Sequence, residues 1–318
     1  MTELLRAERS AFETLFPNKP FRITHGLEND PRLTLDAILD LVKSLPGDRI
    51  EYNSGKAAVS QDPDATPLVD LSPEEIVKRV ETAGAWMVLK QVETHPDYKA
   101  LLEDALLSVA RAQGFSSLRA AGFSDIQGFV FVSSPNSTTP FHLDSEDNFF
   151  VQIHGDKQFN IYDNDDRSIA NEDQIEHCIT KHRNLKFEER YEAKGMHNDL
   201  KPGEGVFVPY LWPHYIKTRE TYSISVAITW KTRAVRRRNR LYVANAMLRD
   251  RGFAQKAPGV NPGWDALKVA FIATGAAIAA PLRKSEGLRK MIRSMVLGKN
   301  ANYYYRAQKK DAGAHKAA

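Results

Sequence analysis

Short apolar runs separated by turn residues characterise the middle of the chain, between Gln127 and Trp230. The runs occupy residues 128–132, 148–153, 157–162, 205–209 and 222–230. Many short β runs of this kind are typical of β-sandwiches and barrels. A polar stretch at 163–202 interrupts them. The pattern therefore predicts a mainly β region with an insertion between the two halves of a barrel.

Helical periodicity flanks this region on both sides. Apolar residues recur every three to four positions in 33–44 and in 97–113, which predicts amphipathic helices. Ser72, Pro73 and Glu75 have the spacing of a capped helix start. Helical signals return after residue 230. We therefore divide the chain into a mixed α/β N-terminal region (1–125) that packs on the barrel, a β core (126–232), and a basic helical C-terminal region (233–318).

The composition is ordinary for a globular protein, with 42% hydrophobic and 26% charged residues. The single cysteine, Cys178, excludes an internal disulfide framework and a cysteine-rich zinc site, so metal ligands have to be His, Asp or Glu. This cysteine usage, and an N-terminus without a basic start and an apolar run, predict a cytoplasmic protein. An uncharged run at 269–282 is shorter than the roughly 20 residues of a spanning helix, so we expect a buried or interfacial helix and no transmembrane segment.

Charge is distributed unevenly along the chain. Residues 231–318 contain 20 of the 44 Lys/Arg and 4 of the 40 Asp/Glu, which gives them +16; the first 230 residues contain 24 against 36, which gives −12. Arg236, Arg237 and Arg238, with Arg233 and Arg240, are most simply a solvated helix face or a clamp on the acidic body. Nucleic acid is a possible partner of this basic region, but no known binding motif accompanies it and it is not favoured.

The candidate chemistry lies in His142 and Asp144, with His214 following seventy-two positions after His142 (214 − 142). Residues i and i+2 of an extended chain point to the same side, so the first pair can face one point. Two His and one carboxylate on one face of an octahedron leave three positions open, as in non-haem Fe(II) oxygenases. Taken alone, this spacing also fits surface or core histidines.

The surrounding residues carry a resemblance to a known family. Residues 139–157 read Thr-Pro-Phe-His-Leu-Asp-Ser-Glu-Asp-Asn-Phe-Phe-Val-Gln-Ile-His-Gly-Asp-Lys, and residues 202–209 and 212–214 read Pro-Gly-Glu-Gly-Val-Phe-Val-Pro and Trp-Pro-His. Both segments resemble jumonji-C and cupin-like 2-oxoglutarate oxygenases, most closely the asparaginyl hydroxylase that inhibits the hypoxia-inducible factor. The whole chain is similar to bacterial cupin-like proteins, which share residues 51–53 and 86–90.

This resemblance implies a fold that is mainly β with flanking helices. Its core is a double-stranded β-helix, a jelly roll of the cupin and jumonji-C type, with helical N-terminal and C-terminal extensions. The resemblance also implies two cofactors, Fe(II) and the cosubstrate 2-oxoglutarate, used with O2. His142, Asp144 and His214 correspond to the catalytic iron ligands.

The resemblance further implies a cosubstrate site. Lys157 corresponds to the cation that pairs with the distal carboxylate of 2-oxoglutarate, and Thr139 and Asn148 to its hydrogen-bond donors. Trp230 has a family counterpart beside the cosubstrate. Phe150 and Gln152 share the strand face of Asn148, so if Asn148 faces into the barrel, Phe150 is expected to wall the cosubstrate pocket and Gln152 to reach the substrate side.

Two of these positions have a rival interpretation, and a third position, Ile228, departs from the family pattern. Lys157 follows a Gly-Asp pair typical of a hairpin turn, where an exposed lysine is common. Trp230 fits core packing equally well. Ile228 stands where the asparaginyl hydroxylase has an Asn, so one polar contact is missing or comes from elsewhere.

The sequence therefore predicts a 2-oxoglutarate-dependent dioxygenase that hydroxylates a protein or peptide side chain. A small-molecule hydroxylase with the same mechanism and a non-catalytic, ligand-binding or regulatory barrel stay open as alternatives. An open cleft would favour a peptide, and a pocket capped by the insertion would favour a small molecule. We also predict a homodimer through residues 240–295, with Trp264, Leu267, Val269, Phe271 and Ile272 among the buried residues.

Overall fold

Two antiparallel β-sheets face each other and carry helices on their outer sides. The computed structural model describes residues 4–278 together with Leu288, Met291, Ser294 and Met295. The strands are β1 (Leu5–Arg6), β2 (Phe21–His25), β3 (Ile50–Ser54), β4 (Ala85–Lys90), β5 (Ser124–Ser133), β6 (Thr138–His142), β7 (Asp147–His154), β8 (Lys157–Ile161), β9 (Met196–Leu200), β10 (Glu204–Val208), β11 (His214–Thr218) and β12 (Ser223–Lys231). The helices are α1 (Arg9–Leu15), α2 (Leu35–Ser44), α3 (Pro73–Lys78), α4 (Pro96–Ala112), α5 (Glu172–Lys181), α6 (Arg233–Arg249) and α7 (Pro262–Ile278).

The major sheet has the strand order β1-β2-β10-β7-β12-β5-β4-β3, and the minor sheet has the order β6-β11-β8-β9. The five apolar runs predicted as strands correspond to β5, β7, β8, β10 and β12. The prediction of a mainly β fold of the cupin-like type with flanking helices is therefore confirmed.

Alternation along the strands separates two apolar layers. Phe150 on β7 lies between the sheets with Phe159 and Val206. Phe149, its neighbour in sequence, lies on the outer side of the major sheet in the core formed with the N-terminal helices. A residue's position on one face of a strand thus decides whether it meets the inter-sheet space or the helical layer.

Strands from the first 125 residues extend the major sheet at both edges. β2 pairs with β10 on one side, and β4 pairs with β5 on the other. The polar insertion contributes to the minor sheet, because β9 pairs with β8, and α5 packs in the core on the outer side of that sheet. The domain boundaries after 125 and 232 stay a prediction, since hydrogen-bonded pairing crosses the first of them.

The helix starts follow the predicted capping chemistry. Ser72 accepts a hydrogen bond from the backbone N–H of Glu75, and the Glu75 carboxylate accepts one from the N–H of Ser72, which completes the capping box of α3. Thr34 caps α2 by accepting from Ala37 N–H. The helix predicted at 97–113 is α4, Pro96–Ala112.

The C-terminal helices α6 and α7 pack on each other, and α6 also packs on α5. Among the described residues, no helix combines the length and the apolarity that crossing a membrane would need. The apolar run predicted at 269–282 forms the second half of α7 as far as 278. Most of the predicted basic region beyond that residue, and most of the predicted dimer segment from 279 to 295, lie outside the described residues.

Candidate active site

Pairing between β6 and β11 brings the two predicted histidine ligands together. His214 is the Cα partner of His142, and their rings lie 4.2 Å apart between centroids. Asp144 follows β6 by two residues, and its carboxylate oxygens lie 3.9 Å from His142 Nε2 and 3.7 Å from His214 Nε2. All three candidate ligand atoms lie within 4.8 Å of one another. One metal ion can therefore bind all three.

The hydrogen bonds of the two imidazoles use Nδ1 of each ring and leave Nε2 available to bind a metal. His142 Nδ1 lies 2.7 Å from the carbonyl oxygen of Pro140, and His214 Nδ1 lies 2.9 Å from that of Trp212. A carbonyl can only accept, so each Nδ1 donates and each Nε2 keeps its lone pair. Burial, and then the neighbouring His142, lower the pKa of His214 well below its ordinary value. A neutral imidazole is the form that binds a metal.

A cavity of about 210 Å³ lies against the three ligands. Its lining includes Trp86, Phe131, Thr139, Asn148, Phe150, Ile216, Ala227 and Thr229. The predicted cosubstrate residues Thr139, Asn148 and Phe150 are thus brought together beside the triad. The buried Oδ1 of Asn148 has no hydrogen-bond partner within the described part of the chain. This oxygen can accept a hydrogen bond from a ligand in the cavity, whereas a carboxylate would bind the NH2 group of the same amide.

Lys157 is buried behind the cavity wall, with 2% of its surface exposed. Its Nζ lies 5.5 Å from the ring centroid of Phe150 and 5.8 Å from that of Phe131, two rings that line the cavity. No carboxylate among the described residues pairs with it, and burial lowers its pKa to about 7. The rival interpretation of a solvated turn lysine is therefore wrong.

The turn before Lys157 is specified by glycine. Gly155 has a φ of 68°, and a Cβ there would lie 2.1 Å from the carbonyl oxygen of Tyr222. Only glycine fits both conditions. A tight turn is present, but the predicted hairpin is wrong, because β7 and β8 belong to different sheets. The turn leads the chain from the major sheet into β8 of the minor sheet, with Lys157 on the buried side.

Two predicted site residues lie elsewhere. Trp230 does not line the cavity; it is fully buried on the outer face of the major sheet, where its ring stacks near Phe149. Core packing is thus the correct interpretation. Gln152 shares the strand face of Asn148 but lies beyond the cavity, where its amide bonds to Gly155 O, Ser223 Oγ and Ser225 Oγ. All its main partners are internal, so the expected substrate contact is wrong.

The departure at Ile228 is explained by the direction of β12. Ile228 belongs to the outer core with Trp230, while Ala227 and Thr229 line the cavity. Thr229 lies opposite Asn148 in the ladder. The polar group on this strand is therefore the Thr229 hydroxyl, one residue from the position that the resemblance indicated.

Trp86 is a site residue that was not predicted. Its indole Nε1–H donates to Thr139 Oγ1 at 2.9 Å. An indole can only donate, so the Thr139 hydroxyl accepts on that side and has its own hydrogen to donate elsewhere. The available signal was the similarity of residues 51–53 and 86–90 to cupin-like proteins, because Glu51, Trp86 and Lys90 all line the cavity.

A polar groove of about 470 Å³ continues from the metal ligands toward solvent. It shares His142, Asp144 and Glu146 with the inner cavity. Besides Asp144, its charged lining residues are Asp48, Arg49, Lys90, Glu146, Arg183 and Lys231. Within it, Glu146 pairs with Lys231 at 3.3 Å. The groove presents charges of both signs next to the triad.

The insertion contributes to the walls of both spaces: His182 and Asn184 line the inner cavity, and Cys178, Ile179 and Arg183 line the groove. Arg183 pairs with Asp64 at 2.7 Å, and Asn184 Nδ2 donates to Gln61 O at 2.9 Å. The Ser60 hydroxyl donates to Phe187 O at 3.0 Å. These contacts hold the 182–187 segment on the loop of residues 60–64.

Comparison with known proteins gives a family and a set of similar folds. The family model described as a cupin-like domain matches residues 41–235. No curated protein matches the sequence. A structure of ycfD from E. coli has 14% identity, a TM-score of 0.47, and coverage of 93% of this chain and 73% of its own. A structure titled as the E. coli ribosomal oxygenase YcfD with cobalt and 2-oxoglutarate has 13% identity, a TM-score of 0.48, and coverage of 91% and 70%. Identities and TM-scores this low give no information about the function of this chain. The closer resemblance to the asparaginyl hydroxylase stays a prediction.

Proposed function

Because the chain belongs to the family of cupin-like domain proteins, we propose that it is an Fe(II)- and 2-oxoglutarate-dependent oxygenase that hydroxylates a protein or peptide side chain. His142, Asp144 and His214 would hold the iron. Thr139, Asn148 and Lys157 would hold 2-oxoglutarate, with Phe150 as an apolar wall. Iron and 2-oxoglutarate, when bound, supply the oxidant that hydroxylates a C–H bond with O2 and releases succinate and CO2.

The observation that carries this proposal is the buried ammonium of Lys157, which has no carboxylate partner among the described residues. An isolated buried charge is costly, and an anionic ligand within reach removes that cost. The nearby hydroxyl of Thr139 and amide of Asn148 supply the donors that a carboxylate needs. A carboxylate-binding cavity beside two His and one Asp is what a dicarboxylate cosubstrate of an iron oxygenase requires.

The protein's own residues perform the remaining tasks. Trp86 orients the Thr139 hydroxyl toward the cavity. The backbone carbonyls of Pro140 and Trp212 hold the two imidazoles with Nε2 toward the metal. Phe150 and its neighbours exclude water from the inner end, while the groove admits the substrate to the outer end.

The shape of the groove favours a protein or peptide over a small molecule. Its volume is about twice that of the inner cavity, and the insertion forms part of its wall. Its ion-paired lining suits polar backbone and side-chain groups better than an apolar small molecule. The small-molecule alternative would require a capped pocket. A barrel that binds a ligand without catalysis would not require an open groove next to the metal.

Anaerobic titration with Fe(II) and 2-oxoglutarate, followed by measurement of succinate in air, tests the proposal. We expect 2-oxoglutarate to bind when Fe(II) is present and slow succinate release that a cell extract accelerates. A peptide substrate predicts that the active part of the extract is retained by ultrafiltration and destroyed by protease. An active filtrate would favour the small molecule. Binding with no succinate under any condition would support the non-catalytic alternative.

We propose a homodimer formed through α7. Trp264, Leu267 and Phe271 are 47%, 63% and 70% exposed, so the described part of the chain leaves these side chains largely uncovered. Three large apolar side chains at helical spacing form a surface that a second copy can cover.

Replacing Leu267 and Phe271 with Glu is expected to convert a dimer into a monomer, because a charge at the centre of an apolar interface is costly. Light scattering at micromolar concentration should give twice the 35.8 kDa chain mass for the wild type and the single mass for the variant. Leu68→Glu, at another exposed apolar position, serves as the control and should stay dimeric. A monomeric wild type would contradict the proposal.

Two other predictions concern the location of the protein and its contact with nucleic acid. A cytoplasmic location rests on the single cysteine. Contact with nucleic acid through α6 stays a prediction. Arg233, Arg237 and Arg240 are exposed on this helix, and Arg236 lies 4.0 Å from Asp125. The exposed arginines favour a solvated face over a clamp on the acidic body.

A further inference from the structure

The three candidate ligands are not held in the same way. His142 and His214 are strand residues and direct Cα partners, so the β6–β11 ladder fixes their separation. Asp144 lies in the irregular segment between β6 and β7. No ladder hydrogen bond holds it. Other contacts therefore have to fix the position of this carboxylate.

Within the described part of the chain, each residue from Asp144 to Asp147 contacts a residue outside this segment. Leu211 N–H donates to Asp144 O at 3.0 Å. Tyr210 N–H donates to Asp147 Oδ1 at 3.0 Å. Beyond these two bonds from the β10–β11 loop, Glu146 pairs with Lys231 at the end of β12. The segment is thus clamped from two sides.

The remaining contact comes from α6, outside the barrel. Asn239 Nδ2 donates to Ser145 O at 2.8 Å, and the Tyr210 hydroxyl donates to Asn239 Oδ1 at 2.7 Å. The orientation of this amide is fixed by chemistry, because the carbonyl of Ser145 can face only the NH2 group. Tyr210 therefore holds the amide in the one orientation that bonds the residue next to Asp144.

We propose that Asn239 is a positioning residue for the metal: through Ser145 it holds the backbone that carries Asp144, and Tyr210 orients it. The inference rests on the proposed function, since it assigns Asn239 a role toward the metal of that site. Partners that orient metal ligands contribute to metal affinity by keeping the ligand in its binding geometry.

Asn239→Leu keeps the approximate size of the side chain and removes both hydrogen bonds. Titration with Co(II), which has visible ligand-field absorption, should show about 10-fold weaker binding and a changed spectrum. Asn239→Gln is expected to recover part of the affinity. Thr232→Val is the matched control: it removes the N-cap of α6, whose Oγ1 accepts from Val235 N–H, and leaves the Asn239 contacts in place. It should lower the unfolding midpoint without changing Co(II) affinity or spectrum.

Tyr210→Phe provides a second route if Asn239→Leu folds poorly. It removes only the hydroxyl, so we expect a smaller loss of affinity in the same direction. The double variant Tyr210→Phe/Asn239→Leu should match Asn239→Leu, since both changes act through one contact. Unchanged Co(II) affinity and spectrum in Asn239→Leu, or equal losses in Thr232→Val, would overturn the inference and leave the proposed function intact. A wild-type protein that binds no Co(II) would contradict the proposed function itself.

Discussion

Replacing His142 with alanine is expected to abolish succinate release from 2-oxoglutarate. His142 supplies one of three ligand atoms on a single face, and its Nε2 is held toward the metal by the bond from Nδ1 to Pro140. With two ligands left, neither the metal nor the cosubstrate that chelates it is retained in the reactive arrangement. Succinate release and Co(II) binding, measured on the same protein, should be lost together.

His154→Ala is the matched control, because His154 is exposed at the end of β7 and stacks on Tyr222. It should turn over 2-oxoglutarate like the wild type. An alanine variant at His142 that releases succinate at the wild-type rate would remove the metal assignment. A variant that binds Co(II) normally yet makes no succinate would limit the role of His142 to a later step.

Lys157→Met is expected to weaken 2-oxoglutarate binding by at least about 100-fold, because it removes the buried cation that pairs with the distal carboxylate. Met has a similar length and no charge, so the cavity walls formed by Phe131 and Phe150 should stay in place. Lys217→Met, an exposed lysine on β11, is the control. Anaerobic titration with Fe(II) present measures the change. Equal affinities in the Lys157→Met variant and the wild type would exclude Lys157 as the anchor.

The pH dependence of the same titration follows from the pKa of Lys157. Burial lowers this pKa to about 7 in the free protein, and a bound carboxylate raises it. Binding above pH 7 therefore requires uptake of a proton, so 2-oxoglutarate affinity should fall by about tenfold per pH unit there and be flat below it. This slope should be absent in Lys157→Met.

The free protein should show the reverse effect on stability. Since the folded pKa lies below the ordinary value of 10.5, unfolding takes up a proton between these two pH values, and stability rises with pH across that window. Lys157→Met lacks the buried ammonium. It should therefore unfold at a higher temperature than the wild type near pH 7, and the difference should shrink toward pH 10.

The sequence predicted the site best where neighbouring residues decide the outcome. His142, Asn148 and Lys157 lie in one ungapped segment that resembles the family motif, and within β7 the two-residue period of a strand gives the common direction of Asn148 and Phe150. The same period gave the correct strand face for Gln152. It could not show that Gln152 lies beyond the end of the cavity, where its amide bonds to Ser223. The sequence did not show which face of the major sheet Trp230 occupies, because the pairing register of β12 with β7 is set by contacts between distant segments.

Partners far apart in the chain left no local pattern to find. Trp86 and Thr139 are 53 positions apart, and Asn239 and Ser145 are 94 positions apart. Both contacts depend on which strand or helix lies beside which, information that hydrophobic periodicity does not contain. The fold class was predictable from the short β runs, whereas the strand order that creates these contacts was not.

The contact between α6 and the Ser145 carbonyl affects what counts as the smallest complete unit of this protein. The region matched by the family ends at residue 235, in the first turn of α6. A chain cut there would keep all three ligands and the cosubstrate pocket, yet lose the side chain that reaches back from residue 239. The barrel and α6 therefore form the smallest unit to express for metal binding, because the helix supports the proposed metal site from outside the barrel.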